Sequence, residues 1–305
     1  MTIEEQPEHF NNTRKADFKS IYNQPDPRAY FAALTPLEYQ VPQHALPFVN
    51  RILELSSSTN EPSTNGGIKS TEKVLDVCCS YGINAALLRH DLDLGSMATH
   101  YASTPKLSSR EQIAADKRFF ASRPHRPGLE VLGLDVAPEP ISYAIETGLL
   151  TSGFAENLES ADPSPALRSA LRDVKLVVCT GGVGYVSAST FSRIAACVED
   201  PGSLWMVTFV LRVFSFEDVA EKLREEHGLV TEKVEGMTFR QRRFTSSEEQ
   251  RAAVEDIRRK GLDERGLEGD GWFRAECWVT RPSGTEMAMK DLLDGCFDNG
   301  KDIER

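Results

Sequence analysis

The chain has 305 residues, 40% of them apolar and 27% charged, a globular composition with room for one elaborated domain or two small ones. Its net charge of −11 opposes a broad surface for nucleic acid or an anionic membrane, and no apolar run reaches the roughly 18 residues of a membrane span. The start, Met1-Thr2-Ile3-Glu4-Glu5-Gln6, is neither basic nor apolar, and the six cysteines form no C-x-x-C pair; a reduced, cytoplasmic protein without a signal peptide is expected.

In chain order, residues 1–16 are polar and expected to be disordered. Residues 17–70 are expected to form an N-terminal lid segment and linker: an aromatic stretch broken by prolines, helical apolar spacing over 44–55, and a polar Ser/Thr/Asn/Gly loop over 56–70. Residues 71–282 then alternate. Strands are predicted at 73–77, 129–134, 174–179, 204–211, 229–234 and 273–281. Helices are predicted at 83–90, 140–147, 190–198, 216–227 and 248–260, with Gly148 and Gly228 as C-caps. A polar insertion over 91–128 predicts one or two extra helices. Such alternation predicts an α/β fold with a mostly parallel sheet covered on both faces. In the tail, 283–305, the spacing of Met289, Leu292, Leu293, Cys296 and Phe297 predicts an amphipathic helix that packs on the core, closes the site or meets a second copy as a homodimer.

The richest stretch is Val74-Leu75-Asp76-Val77-Cys78-Cys79-Ser80-Tyr81-Gly82. A buried strand breaks through small residues into a helix, which aims backbone N–H groups above the sheet edge. The run resembles the D-x-G-x-G-x-G cofactor loop of class I S-adenosylmethionine-dependent methyltransferases. Cys78 and Ser80 replace two of the family's three glycines and Gly82 keeps the third; Cys and Ser are small, but adopt a positive φ less readily than Gly. Three further marks follow in family order. Asp135, in Gly133-Leu134-Asp135-Val136-Ala137, ends a strand where a carboxylate suits both ribose hydroxyls; capping of the next helix is the alternative. In Glu156-Asn157-Leu158, Asn157 and Leu158 fit the adenine contacts by resemblance, with Glu156 a competitor. Cys179-Thr180-Gly181-Gly182-Val183-Gly184-Tyr185 is a Gly-rich turn after a strand.

The resemblance implies a Rossmann-like methyltransferase fold with a seven-stranded sheet, and S-adenosylmethionine as cofactor. It implies that Asp76, Cys78, Ser80, Tyr81, Gly82, Asp135, Val136, Asn157, Leu158, Thr180 and Gly181 line the cofactor site. In this reading Asp76 orders the loop and the methionine end, Tyr81 leans over the site, and Tyr185 faces the acceptor. His44 and His100 are candidate bases, with surface or core roles as the alternative. Tyr22, Tyr30, Phe31 and Tyr39 suggest an aromatic cover for a planar or cationic small molecule, against plain packing. Arg242 could hold a substrate carboxylate or mark a solvated strand edge. No metal-ligand cluster stands out. The function expected is O- or N-methylation of a small molecule by in-line displacement. Two rivals are a non-catalytic methyltransferase-like binding protein, and a short-chain NAD(P) oxidoreductase suggested by Thr180-Gly181-Gly182-Val183-Gly184. The latter lacks the Y-x-x-x-K pair and has too little chain after residue 176 for a whole dinucleotide-binding domain.

Overall fold

The computed structural model describes residues 15–16, 18, 20–58, 72–285, 287–293 and 296. Eight strands form one sheet: β1 (Glu72–Val77), β2 (Leu129–Asp135), β3 (Ser152–Ala155), β4 (Leu176–Thr180), β5 (Trp205–Leu211), β6 (Leu229–Lys233), β7 (Phe239–Arg243) and β8 (Trp272–Pro282). The order is β3-β2-β1-β4-β5-β8-β6, with β7 also on β8. The first five run parallel, and β8 enters antiparallel to β5. This is an open, doubly wound Rossmann-like α/β architecture, and the chain order reverses between β1 and β4, where such sheets open a ligand crevice.

The sheet has eight strands where seven are expected, because its last edge is interrupted. β6 pairs the second half of β8 and β7 pairs the first half. Val234-Glu235-Gly236-Met237-Thr238 separates the two pieces, and a register shift between Arg240 and Arg242 leaves Gln241 as the extra residue of a bulge.

Eleven helices are described: α1 (Arg28–Leu34), α2 (Val41–Ser58), α3 (Ile83–Arg89), α4 (Leu94–Ser103), α5 (Ser109–Ala121), α6 (Pro138–Glu146), α7 (Pro165–Leu171), α8 (Ala188–Ala195), α9 (Glu217–His227), α10 (Ser247–Arg259) and α11 (Met289–Leu292). The side chains of the strands alternate between two cores. Val74, Val178, Val207 and Phe209 face α2, α3 and α6; Leu75, Val77, Val177 and Met206 face α7, α8 and α9. All seven residues of β5 are buried, as its unbroken apolar run requires of a strand covered on both faces.

α2 is a core helix, not a cover. Ala45, Phe48, Val49, Ile52 and Leu53 are all buried, and Phe48 meets Phe209 edge-on at 5.5 Å. The helix runs on to Ser58, into the segment expected to be loop; 59–71 lie outside the described residues, as do 1–14. The insertion forms two helices, α4 and α5. They join α1 and α6 through stacking of Tyr101 on Phe31 at 4.5 Å and a bond from the Tyr143 hydroxyl to Asp116 Oδ2 at 2.7 Å. In the tail, Leu292, Leu293 and Cys296 are buried, and Arg51 of α2 donates to the Leu292 carbonyl at 3.0 Å. Core packing accounts for these residues; Phe297 lies outside the described residues.

Candidate cofactor and acceptor site

The turn between β1 and α3 is built from alternating left-handed residues. Cys78 has φ 57°, Ser80 φ 49° and Gly82 φ 75°. These are the three glycine positions of the family loop, so Cys78 and Ser80 adopt the glycine conformation despite their side chains. Such residues cost of order 1 kcal/mol each and persist only where the surroundings over-determine them. Here the Cys78 and Cys79 N–H groups donate to the Leu134 carbonyl at 2.8 and 3.3 Å, and Ser80 N–H donates to Asp135 Oδ2 at 2.9 Å. A hydrogen bond to Cys179, then burial, holds the Cys78 thiol well above its usual range, so it packs as a small neutral group.

Asp76 lies below the turn and is fully buried. Asn84, in the first turn of α3, donates to Asp76 Oδ1 at 2.8 Å and to Thr180 Oγ1 at 2.9 Å, tying the end of β1 to the end of β4. Asp76 Oδ2 has no partner. Burial pushes this carboxyl up to about 7, against the Asn84 bond. Asn84 is a site residue that the sequence reading passes over; an amide at the helix start, eight residues after the strand-end Asp, is the mark it leaves.

Asp135 does not cap α6, whose N-cap is Ala137 without a side-chain bond; it ties two backbone N–H groups. Its Oδ1 accepts the Ala137 N–H at 3.0 Å ahead of α6 while Oδ2 holds the Ser80 turn. Val136, beside it, is 65% exposed at the sheet end, an apolar surface at the expected cofactor site. Glu156 is tied to Ser164, the N-cap of α7, accepting from Ser164 N at 2.9 Å and Ser164 Oγ at 2.6 Å. Asn157 is exposed, its Oδ1 accepting the Glu159 N–H at 3.0 Å. Leu158 instead is buried with Leu75 and Val77 in the core below, so it supports the wall from behind. Tyr81 does not lean over the site. It is fully buried, and its hydroxyl accepts the Gln24 N–H at 3.0 Å and donates to the Ile21 carbonyl at 3.2 Å, because the N-terminal segment supplies these partners.

After β4, Gly181 takes φ 84° and its N–H donates to the Phe209 carbonyl at 3.2 Å. A Cβ on Gly181 would stand 3.5 Å from Gln241 Nε2. The β7 bulge thus aims Gln241 at the turn; the residue is 6% exposed and its Oε1 has no partner. Tyr185, 59% exposed, follows at the rim.

The predicted aromatic cover assembles in part. Tyr30 meets Tyr22, Tyr39 and Tyr81 edge-on at 5.8, 6.2 and 5.9 Å, and it shares a hydrogen bond with Tyr39. Burial raises the phenols of Tyr22, Tyr30 and Tyr39, so all three are neutral donors. Phe31 points the other way, onto Tyr101. Arg242 is neither a free guanidinium nor a solvated edge. It is 2% exposed, forms two bonds to Glu249 at 2.6 and 3.0 Å, and lies over the rings of Phe18 and Phe273. Only a buried carboxylate with that geometry makes such burial affordable.

The candidate bases lie elsewhere. His100 bonds Asp116 Oδ1 at 2.6 Å and stacks on Phe119 at 3.9 Å inside the α4–α5 insertion. His44 pairs with Gln40 Oε1 at 3.2 Å beside Phe239. Among the described residues no group of three His, Cys, Asp or Glu side chains could hold a metal ion, and no helix is long and apolar enough to cross a membrane.

No family model and no curated protein matches the sequence. Solved structures similar to the chain include a TehB-like SAM-dependent methyltransferase from Corynebacterium glutamicum, with 16% identity, a TM-score of 0.37, and coverage of 79% of this chain and 100% of that one. A SAM-dependent methyltransferase from Aquifex aeolicus has 12% identity, a TM-score of 0.39, and coverage of 84% and 98%. The plantazolicin methyltransferase BamL, solved with SAH, has 13% identity, a TM-score of 0.41, and coverage of 79% and 86%.

Proposed function

We propose that this protein is an S-adenosylmethionine-dependent methyltransferase that acts on a small molecule by O- or N-methylation. The observation that carries the reading is the left-handed turn at Cys78, Ser80 and Gly82 standing against Asp135. A chain that keeps costly glycine geometry without the glycines has a use for that turn. The residues fit the cofactor. Asp135 retains acceptor capacity for ribose hydroxyls, Val136 and Asn157 offer apolar and amide surface to adenine, and the unpartnered Asp76 Oδ2 suits an α-ammonium group. The bound cofactor would supply an electrophilic methyl group on a sulfonium.

What the protein contributes is alignment and exclusion of water. Tyr22, Tyr30 and Tyr39 close the site from the N-terminal side, and Tyr185 borders it after β4. Burial keeps the phenols of Tyr22 and Tyr39 protonated, so they can offer hydrogen-bond donors at the site.

Calorimetry with S-adenosylmethionine, S-adenosylhomocysteine and NADP tests the reading. Heat with the first two and none with NADP is expected; the reverse overturns it. Transfer of labelled methyl to a metabolite pool then separates an enzyme from a non-catalytic binding protein.

A further inference from the structure

Beyond Gly181 the turn meets a second aromatic wall. Gly184 takes φ 103°, and a Cβ there would stand 2.6 Å from Phe214 Cζ, so the far end of that ring lies close against the turn. Tyr185 follows at once. Lys15 brings its ammonium to both: Nζ is 5.2 Å from the Tyr185 centroid and 5.7 Å from that of Phe214. A cation within about 6 Å of a ring face is drawn to it, more strongly as water is excluded. Two rings, Tyr185 and Phe214, thus share the one ammonium.

The chain around Lys15 is anchored. Ala16 N–H donates to Glu249 Oε1 at 2.8 Å, and the Phe18 ring lies 5.2 Å from the Arg242 guanidinium. The charged groups facing Lys15 are Arg242 and Glu249, which already pair with each other. Burial and Arg242 lower the Lys15 amine to about 8, with Glu249 opposing. Among the described residues no carboxylate pairs with the lysine alone, and the two rings meet its ammonium instead.

We propose that the corner formed by Tyr185 and Phe214 is a binding seat for an aliphatic ammonium group, and that Lys15 fills it as an internal stand-in. This rests on the methyltransferase reading only in taking the group to belong to the methyl acceptor; the methylated atom need not be that nitrogen. The acceptor class assigned is a small molecule carrying a primary or secondary amine, which displaces Lys15 on binding.

The test uses the full chain saturated with S-adenosylhomocysteine, with n-butylammonium and the neutral n-butanol as probes, by ligand-observed NMR. Lys15→Met removes the stand-in. It is expected to bind n-butylammonium about 10-fold tighter than the parent, a modest value for lifting intramolecular competition. Affinity for n-butanol stays unchanged, Lys15→Arg behaves as the parent, and adding Tyr185→Leu to Lys15→Met abolishes the gain. No gain in Lys15→Met, or an equal gain for n-butanol, overturns the proposal. Binding of S-adenosylhomocysteine to the same samples reports folding and tests the methyltransferase reading separately: its loss in the parent chain sinks that reading, while the two probes still judge the ammonium seat.

Discussion

The Ser80 backbone N–H donates to Asp135 Oδ2 at 2.9 Å, so the strand-end carboxylate of β2 holds the turn that follows β1. With Ala137 N–H on Oδ1, each oxygen has one partner and keeps one lone pair. Asp135→Ala therefore removes two kinds of support. It is expected to weaken S-adenosylhomocysteine binding by about 1.5–3 kcal/mol, the scale of charged hydrogen bonds, and to lower stability by about 1 kcal/mol. Asp135→Asn should fall between, keeping one acceptor. Unchanged affinity by calorimetry would place the ribose elsewhere.

Ser80 sits at φ 49° with its hydroxyl buried and without a partner. Both features are unfavourable, and Ser80→Gly removes both. It should raise the unfolding free energy by up to about 1 kcal/mol, reduced by the greater freedom of glycine in the unfolded chain. Ser80→Val should destabilise by more than that, since a β-branched side chain resists positive φ. Urea melts compare the two; a stabilising valine would contradict the strain argument.

Much of this fold is legible in the sequence because its signals are local. The apolar runs of β4 and β5, and the 3.6-residue spacing of α9 and α10, follow from burial on two faces or one. The marks at Asp76, Asp135 and Thr180 fall in β1, β2 and β4, and Asn157 just after β3. What the sequence conceals depends on partners far along the chain. Arg242 reads as an exposed charge until Glu249 and two phenylalanine rings enclose it. Tyr81 reads as a site residue until Ile21 and Gln24 claim its hydroxyl. β3 is four residues long and has no periodicity to display, and the edge strand is broken by a bulge that no local pattern announces.

Asp76 couples the site to pH. Its carboxyl stands at about 7 in the folded protein, against an ordinary value near 3.8, because it is buried. Between these values the unfolded chain gives up the proton and the folded chain keeps it. Stability from this group is thus full below about pH 4 and falls by about 1.4 kcal/mol per unit as pH rises toward 7. Asp76→Asn should flatten that slope. An ammonium placed beside Oδ2 favours the carboxylate, so binding S-adenosylhomocysteine near pH 6 should release a proton. Calorimetry in two buffers of different ionisation enthalpy reads that proton; identical heats would remove Asp76 from the cofactor's amino group.

Arg242 and Glu249 are 2% and 3% exposed at their side chains. Arg242→Ala leaves a buried carboxylate that also holds the Ala16 and Thr245 backbones, and should cost about 3–5 kcal/mol. The pair replaced together, Arg242→Met with Glu249→Leu, should recover much of that loss. Thermal melts of the single and double variants decide it: a mild effect of Arg242→Ala, with a large rise in the Michaelis constant, would return Arg242 to substrate binding.

Gln241 joins stability to function with opposite signs. The β7 bulge turns it toward Gly181, where its Oε1 is buried without a partner. An acceptor left unsatisfied costs the folded protein about 1–3 kcal/mol, and the chain retains it beside the turn proposed to border the methyl acceptor. Gln241→Leu keeps the approximate volume and removes that cost. The free protein is therefore expected to melt several degrees higher, while kcat/KM for the acceptor falls about 10-fold or more, since a donor on the ligand loses its partner. Gln241→Glu should retain the acceptor oxygen and keep more of the activity than the leucine variant. A leucine variant that is both more stable and fully active would show the bulge to be only a feature of the sheet edge.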